Sequence, residues 1–190
     1  HIQPIEIKQF LDSLQYPLYY LDFETFAPAV PKYSKSRPYQ RIPFQFSLHI
    51  EQENGDIDHK EFLAEWKDDP RDDFLEFLKV NLGNQGSIIV YNQAFEKGVL
   101  NELGKDFSEY QEWINQIIPR IVDLLIPFRN FYYYDSIQKG SASIKKVLPA
   151  LSEESYDGMD ISNGIDASVK FEKITFEEVG DEEREKIKKD

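Results

Sequence analysis

The sequence predicts an α/β domain with a central mixed sheet flanked by helices. Three observations support this class: three consecutive strand patterns, a hairpin signal at Asn54-Gly55 between two of them, and a later switch to short apolar strands separated by helical patterns. Consecutive strands joined by a hairpin run antiparallel, whereas strands separated by helices run parallel. A chain of 190 residues suits one domain with a core better than two, so we expect a single domain over residues 1–190.

Each element follows from a local pattern. Apolar residues at helical spacing predict helices at 5–14, 72–82, 94–104 and 107–118. Continuous or alternating apolar runs predict strands at 16–23, 44–52, 57–64, 87–91 and 120–125. Prolines spread over residues 27–43 predict a long ordered loop. Residues 140–151 indicate a serine-capped helix limited by Pro149, after which the chain is turn-rich up to a charged helix near 181–190.

Composition narrows the possible functions. A net charge of −13 argues against sequence-independent binding to a nucleic-acid phosphate backbone. It is compatible with a nucleic-acid enzyme that has an acidic metal site. No apolar run has the length of a membrane span and no signal peptide is visible, so we expect no membrane partner and a cytoplasmic location. The absence of cysteine excludes disulfides and thiolate metal sites.

Asp22 and Glu24 lie one residue apart inside the apolar and aromatic run YYLDFETF. Side chains at positions i and i+2 of a strand share a face, so the two carboxylates are expected side by side, where they can hold a divalent cation. The run is typical of a buried strand, and burying two carboxylates costs several kcal/mol unless a metal, an arginine or water compensates. In so acidic a chain such a pair also arises by chance on the surface, but its aromatic setting favours a function.

Two further acids stand beside predicted strands. The strand at 87–91 runs through Asn92 into a helix with Glu96 in its first turn; a capping asparagine and a carboxylate favoured by the helix dipole would explain both without chemistry. Asp123 lies in the apolar run IVDLL. A structural aspartate that is hydrogen-bonded at a strand end and a residue with a role near a site explain this position equally well. Acids on neighbouring strands can bridge two divalent ions about 3.5–4 Å apart, an arrangement that hydrolyses phosphodiesters.

The blocks LDFET, YNQAFE and IVDLL, in this order after a three-strand start, resemble the motifs of the DEDD exonuclease superfamily, the DnaQ-like branch of the ribonuclease H fold. From about residue 16 onward, the chain is more closely similar to an uncharacterised bacterial family of that superfamily. The blocks that carry this likeness are YPLYYLDFETF, PYQRIPFQFSLHI, IIVYNQAFEKGVLNEL, VDLLIPF and GSASIKKVLPAL. The resemblance implies a ribonuclease H-like fold and a metal-dependent 3′–5′ exonuclease that acts on the 3′ end of DNA or RNA.

The resemblance also implies roles for individual residues. Asp22 and Glu24 would hold the principal Mg²⁺ or Mn²⁺, and Glu96 would hold or orient a second ion, so that metal-activated water attacks the terminal phosphodiester. Asn92 belongs to the second motif and is placed with the substrate-binding residues. Phe95 would pack under a terminal base, although a core position explains it as well. Asp123 is a secondary candidate.

The superfamily pattern requires a fourth acid on a late helix, usually with a tyrosine or histidine that helps to deprotonate the water. Tyr156 and Asp160 have a suitable spacing but stand in a turn that contains glycine. Asp166 suits a helix better but lacks a tyrosine or histidine at the right distance. The resembling family carries such a block just after the segment DEEREKIKKD, so we expect the fourth ligand beyond Asp190, in the rest of a longer parent chain, and little metal binding or cleavage by residues 1–190 alone.

Two other interpretations stay open. A glutamate at position 96, where the superfamily usually has aspartate, is compatible with a catalytically inactive module of the same fold that binds nucleic acid or a partner protein. Alternatively, Asp22 and Glu24 pair with Arg37, Arg41 or Arg129 and bind no metal, in which case an arginine should fill the space beside them.

Overall fold

A mixed sheet forms the centre of the protein. The computed structural model describes residues 1–65, 67–155, 164–177 and 179–189. The strands within these residues are β1 (Leu18–Phe26), β2 (Ile42–Glu51), β3 (Ile57–Leu63), β4 (Ser87–Val90) and β5 (Ile121–Asp123). They lie in the order β3-β2-β1-β4-β5, with β1, β2 and β3 antiparallel and with β4 and β5 added parallel to β1. The predicted succession of antiparallel and then parallel strands is confirmed.

Helices cover both faces of this sheet. They are α1 (Pro4–Asp12), α2 (Arg71–Asn81), α3 (Gln93–Asp106), α4 (Gln111–Ile117), α5 (Ile126–Arg129), α6 (Ile144–Leu151), α7 (Gly164–Phe176) and α8 (Asp181–Lys189). The predicted helix-flanked α/β class is therefore confirmed. None of these helices, within the part of the chain that the structure describes, has both the length and the apolar character needed to cross a membrane.

The larger core lies between the sheet and helices α2, α3 and α4. On β1 the residues Leu21 and Phe23 point into it, and on β2 the residues Phe46 and Leu48 do so. Phe74 of α2 is fully buried against them and contacts Phe23 edge to face at 5.1 Å. Burial of one such side chain contributes roughly 1.5–3 kcal/mol, so this face fixes the positions of the strands.

The hairpin between β2 and β3 forms at the predicted turn. Gly55 has φ +88°, in the left-handed region that glycine adopts without strain. Its N–H donates to the Gln52 carbonyl at 2.9 Å, and the Gln52 N–H donates to the Asp56 carbonyl at 2.9 Å. The turn thereby sets the register of the two strands, in which Glu51 lies opposite Ile57.

A bulge brings α7 onto the other face of the sheet. Glu24 pairs with Gln45, but the next residue, Thr25, pairs with Pro43, so Phe44 is an extra residue on β2. A bulge of this kind re-aims the extra side chain. Phe44 then packs with Phe26 against α7, where its ring stacks on that of Phe171 at 4.1 Å between centroids.

The helix α7 corrects the expectation that the chain is turn-rich between residue 151 and the final helix. Its residues Ala167, Phe171 and Ile174 recur at helical spacing and are buried, so an apolar stripe that the sequence contained decides this segment. The prediction that a serine caps α6 is also wrong. Ser143 precedes the helix but makes no side-chain capping bond, and Pro149 lies inside the helix rather than limiting it.

Candidate functional site

The two carboxylates of β1 lie on the face opposite the larger core. Asp22 is opposite Ser47 and Glu24 is opposite Gln45 in the ladder with β2. The alternation predicted for the pair therefore holds, but Asp22 is exposed and Glu24 is half-buried, so the expected full burial is wrong for both. Surrounding protein still removes part of the hydration of Asp22 and raises its pKa. For Glu24, burial and then the charge of Asp22 raise the pKa to about 7.

Glu96 projects from the first turn of α3 and is almost fully buried, with 2% of its surface exposed. Its Oε2 atom has no hydrogen-bond partner. Burial is the largest cause that raises its pKa, and the charges of Asp22 and Asp123 add to it, so that the pKa reaches about 8. A buried carboxylate with an unsatisfied oxygen costs free energy unless a proton or a cation neutralises it.

The turn between β4 and α3 sets the position of Glu96. Asn92 has φ 78° and ψ 67°, a left-handed conformation that asparagine adopts more readily than most residues. Its side chain does not cap α3, so the capping interpretation of Asn92 is wrong. Instead its backbone N–H donates to Asp123 Oδ1 at 2.9 Å, and the Leu125 N–H donates to the same oxygen at 3.0 Å. Asp123 is thus a hydrogen-bonded acid at a strand end whose charge also acts on Glu96.

An open cleft of about 220 Å³ lies beside Asp22 and Glu24. Gln45 and Ser47 of β2 extend its polar floor, while Lys170 and other residues of α7 form a wall. The first residue of α7 approaches Glu24 closely, since a Cβ atom at Gly164 would lie 2.9 Å from Glu24 Oε2. Glycine at this position allows α7 to close the cleft against the carboxylate.

The arginines proposed as structural partners lie elsewhere. Arg129 ends α5 and lines a separate cavity. The Nη2 atoms of Arg37 and Arg41 lie 3.4 Å and 3.5 Å from Glu102 Oε1 on α3. An ion pair with arginine would lower the pKa of a carboxyl group, whereas the pKa values of Asp22 and Glu24 are both raised. These observations argue against the interpretation in which arginine neutralises the pair.

The donor set has the chemistry of a hard-cation site. Mg²⁺ and Mn²⁺ prefer carboxylate oxygens, and the mutual repulsion within the set is what a divalent cation would relieve. The unpartnered Oε2 of Glu96 provides a free ligand atom. However, the described residues contain no group of three or more His, Asp or Glu side chains already arranged to hold a metal ion. The acids therefore act on one another electrostatically without forming a complete coordination sphere.

The remaining predicted residues lie around this centre. Phe95 is half-buried against the larger core, with the Arg41 guanidinium 5.5 Å from its ring centroid. Asp166 is exposed in the first turn of α7. Asp160 and its partner Tyr156 lie outside the described residues.

Three polar residues that line the cleft are missing from the sequence-based set: Gln45, Ser47 and Lys170. The alternation of β2 places Gln45 and Ser47 on one face, but their pairing with β1 depends on a register that the long loop before β2 does not reveal. Lys170 could have been found only after the apolar stripe of α7 had been recognised.

Together, the fold and the site define an α/β domain with electrostatically coupled acids at the margin of a mixed sheet, beside an open cleft. The chain belongs to the family described as Domain of unknown function (DUF2779), whose model matches residues 19–143.

Three curated relatives are similar to this chain. The uncharacterized protein MG366 homolog of Mycoplasma pneumoniae is 31% identical over 150 residues, which cover 73% of this chain and 22% of the relative. The uncharacterized protein UU173 of Ureaplasma parvum is 28% identical over 190 residues, which cover 88% of this chain and 27% of the relative. The uncharacterized protein MG366 of Mycoplasma genitalium is 30% identical over 146 residues, which cover 70% of this chain and 22% of the relative. The chain thus spans 22–27% of the length of these relatives, and no solved structure matches it significantly.

Proposed function

We propose that the chain is a ribonuclease H-like domain of a metal-dependent 3′–5′ exonuclease that hydrolyses phosphodiester bonds at the 3′ end of DNA or RNA. The observation that carries this proposal is the electrostatic coupling of Asp22 with Glu24 and Glu96, all with raised pKa values, at one margin of the sheet. Perturbed carboxylates beside a cleft are typical of functional sites.

The sheet supports the ribonuclease H-like part of the proposal. Three antiparallel strands are followed by two parallel strands, as the sequence resemblance implies. The first strand carries the Asp-x-Glu pair, and the helix after β4 carries the next acid. The order of the acids along the chain and their places on the sheet are thus compatible with the DEDD pattern.

Asp22 and Glu24 would hold the principal Mg²⁺ or Mn²⁺, and Glu96 would hold or orient a second ion. When bound, such ions supply an activated water and neutralise charge on the phosphate oxygens. The polar side chains of Gln45 and Ser47 are placed to orient a terminal nucleotide in the cleft, and Lys170 adds a positive charge to its wall. None of these described side chains is the fourth ligand of the pattern, and we propose that a later part of the parent protein supplies it.

A second candidate function is a catalytically inactive module of the same fold that binds nucleic acid or a partner protein. The observation that favours it is that no metal-binding group of three acids or histidines is preassembled within the described ranges. The two candidates differ in one measurable property, because the module would bind without hydrolysing.

The test is degradation of a 5′-labelled single-stranded oligonucleotide with Mg²⁺ or Mn²⁺. Residues 1–190 are compared with the parent protein extended past Asp190, each with and without the substitution Asp22→Ala. We expect stepwise shortening from the 3′ end by the extended protein, and a loss of at least about 100-fold in rate for Asp22→Ala, since the ions that Asp22 helps to hold provide most of the transition-state stabilisation.

Asp58→Ala is the matched control, because Asp58 is an exposed acid on β3 that pairs with Lys60 at 2.8 Å. This variant should retain the wild-type rate. If the extended wild type shows no metal-dependent shortening but retains binding, the inactive module is correct. Shortening by residues 1–190 alone would overturn the assignment of the fourth ligand to a later segment.

A further inference from the structure

The loop between β1 and β2, residues 27–41, is unlike the rest of this acidic chain. We name it the basic loop because it contains Lys32, Lys35, Arg37 and Arg41 and no Asp or Glu, while the whole chain carries a net charge of −13. Lys32, Lys35 and Arg37 are exposed. A local excess of positive charge in an acidic protein provides a place where a polyanion can be held.

The basic loop is anchored in one conformation. Its Ser34 carbonyl accepts from the buried Arg71 at 3.2 Å, and its Tyr39 N–H donates to the Pro28 carbonyl at 3.0 Å. Lys35 and Tyr39 have φ values of 62° and 58°, which residues of these types adopt only when surrounding contacts hold them. The loop is thus preorganised, which lowers the entropic cost of binding a partner.

The basic loop follows the strand that carries Asp22 and Glu24 and contacts the helix that carries Glu96. It begins directly after β1, and its last residue, Arg41, packs on the first turns of α3. A Cβ atom at Gly98 would lie 2.7 Å from Arg41 Nη2, and the Arg41 guanidinium lies 5.5 Å from the Phe95 ring centroid. Phe95 immediately precedes Glu96, so Arg41 packs on the turn of α3 that carries this acid.

The side chains of the basic loop are available to a ligand. Tyr39 is 74% exposed, although it is a large aromatic residue. Arg37 and Arg41 share one partner, Glu102, at distances of 3.4 Å and 3.5 Å, and partly exposed pairs of this kind contribute little energy. The exposed ring of Tyr39, with an arginine two residues away on each side in the sequence, is a platform on which an unpaired base can stack.

We propose that the basic loop binds the sugar-phosphate backbone of a single-stranded nucleic acid whose 3′ end lies at Asp22, Glu24 and Glu96. Lys35 and Arg37 contact phosphates, and Tyr39 stacks on a base. This inference rests on the proposed function, because it assigns the route by which that substrate reaches the acids. A duplex is a poorer partner, since its bases are already stacked and its charge calls for a broader basic surface.

The test measures binding by fluorescence anisotropy of labelled oligothymidylate and oligouridylate of about 16 nucleotides. The protein carries Asp22→Asn and Glu24→Gln, so that no hydrolysis and less repulsion interfere with the measurement. In this background, Lys35→Gln/Arg37→Gln is compared with Lys8→Gln/Lys79→Gln, which removes two cations from α1 and α2. Tyr39→Asn removes the ring, and asparagine tolerates the left-handed backbone.

We expect the loop double variant to bind about tenfold more weakly. The slope of log affinity against log salt concentration should become shallower by about 1.4, because each of the two lost phosphate contacts on a single strand contributes about 0.7. Tyr39→Asn should weaken binding by about tenfold with an unchanged slope. The control pair should match the parent protein. Tighter binding of one oligonucleotide than the other, with the same dependence on the loop, would identify that nucleic acid as the preferred source of the phosphates.

Absence of binding, equal losses in the loop and control variants, or equally tight binding of polyglutamate would each overturn the proposal. Its failure is distinguishable from failure of the exonuclease proposal. If the unsubstituted extended protein hydrolyses the oligonucleotide but binding does not depend on the loop, only the basic-loop proposal is overturned. If binding depends on the loop but no hydrolysis occurs, only the exonuclease proposal is overturned.

Discussion

Two side chains of opposite charge, Arg71 and Glu96, are buried to nearly the same extent, with 1% and 2% of their surfaces exposed. Arg71 is surrounded by acceptors. Its guanidinium donates to Asp69 at 2.7 Å and 2.9 Å, to Asp106 at 3.0 Å and to the Ser34 carbonyl at 3.2 Å. Burial alone would lower the pKa of Arg71, but the bonds to Asp69 and the charge of Asp106 outweigh it, so that the pKa is raised.

Glu96 has the opposite environment. The charges around it are those of Asp22 and Asp123, which repel its ionised form, and its Oε2 atom has no partner. Arg71 is thus neutralised by the fold itself, whereas the fold leaves Glu96 to be neutralised by a proton or an added cation. The difference separates a charge that holds the structure together from one that is available for binding.

The largest effect is expected at the compensated charge. Arg71→Met should lower the free energy of unfolding by about 4 kcal/mol, because Asp69 and Asp106 then keep their charges without the buried cation. The loss also releases the basic loop from α2. Urea denaturation followed by circular dichroism measures the change.

Lys8→Met provides the control for this prediction. The Lys8–Asp12 ion pair is shorter than any formed by Arg71, at 2.6 Å, but its side chains are 73% and 60% exposed. Its removal should change stability by less than about 0.5 kcal/mol. Equal losses in the two variants would show that burial does not determine the strength of these pairs.

The second prediction concerns the uncompensated charge. Because the pKa of Glu96 is raised from 4.5 to about 8, the folded state binds its proton more tightly than the unfolded state does. Its contribution to stability is therefore fully present below about pH 4.5 and is lost as the pH rises through about 8. Glu96→Gln, which resembles the protonated form, should match the wild type near pH 5 and be more stable by on the order of 3 kcal/mol near pH 9.

Chemical denaturation in the presence of a chelator at several pH values measures this difference. Glu112→Gln is the matched control, because Glu112 is exposed on α4, and it should follow the wild type at every pH. A constant difference between Glu96→Gln and the wild type from pH 5 to about pH 9 would mean that Glu96 is ionised throughout and that another group compensates it.

This contrast between the two charges also shows what sequence patterns could predict. The period of two along a strand placed Asp22 and Glu24 on one face, and the Asn54-Gly55 turn gave the hairpin. Both are local rules that need no knowledge of distant contacts. The order of the five strands and of the helices up to α4 followed from the same kind of local pattern.

Apart from α7, whose apolar stripe is present in the sequence, and the two capping predictions, the features that the sequence did not reveal depend on contacts between distant residues. The register of β1 with β2 is set across a loop whose anchor, Arg71, lies 30 or more residues further along the chain. The position of Glu96, whose pKa is raised by the charge of Asp22, depends on the left-handed turn at Asn92, which is held by Asp123. A single chain provides no pattern for such contacts, because they are determined by packing rather than by spacing.

The smallest expected effect comes from adding a cation to the uncompensated site. A divalent ion at tenfold its dissociation constant stabilises the folded state by about 1.4 kcal/mol. The thermal unfolding midpoint should therefore rise with Mg²⁺ or Mn²⁺, and more at about pH 9 than at about pH 6, since Glu24 and Glu96 lose their protons near pH 7 and pH 8. The same titration of Arg71→Met should raise the thermal unfolding midpoint by the same amount as in the wild type, because Arg71 is not part of the proposed cation site.

Asp22→Asn tests where the cation binds. Asp22 acts on both Glu24 and Glu96, so its replacement by a neutral residue should remove most of the metal-dependent increment while leaving the protein folded. Asp58→Asn, which alters an exposed acid paired with Lys60, should leave the increment unchanged. If Asp22→Asn retains the full increment, the cation binds elsewhere on this acidic surface, and the coupled carboxylates at the sheet margin are then neutralised by protons alone.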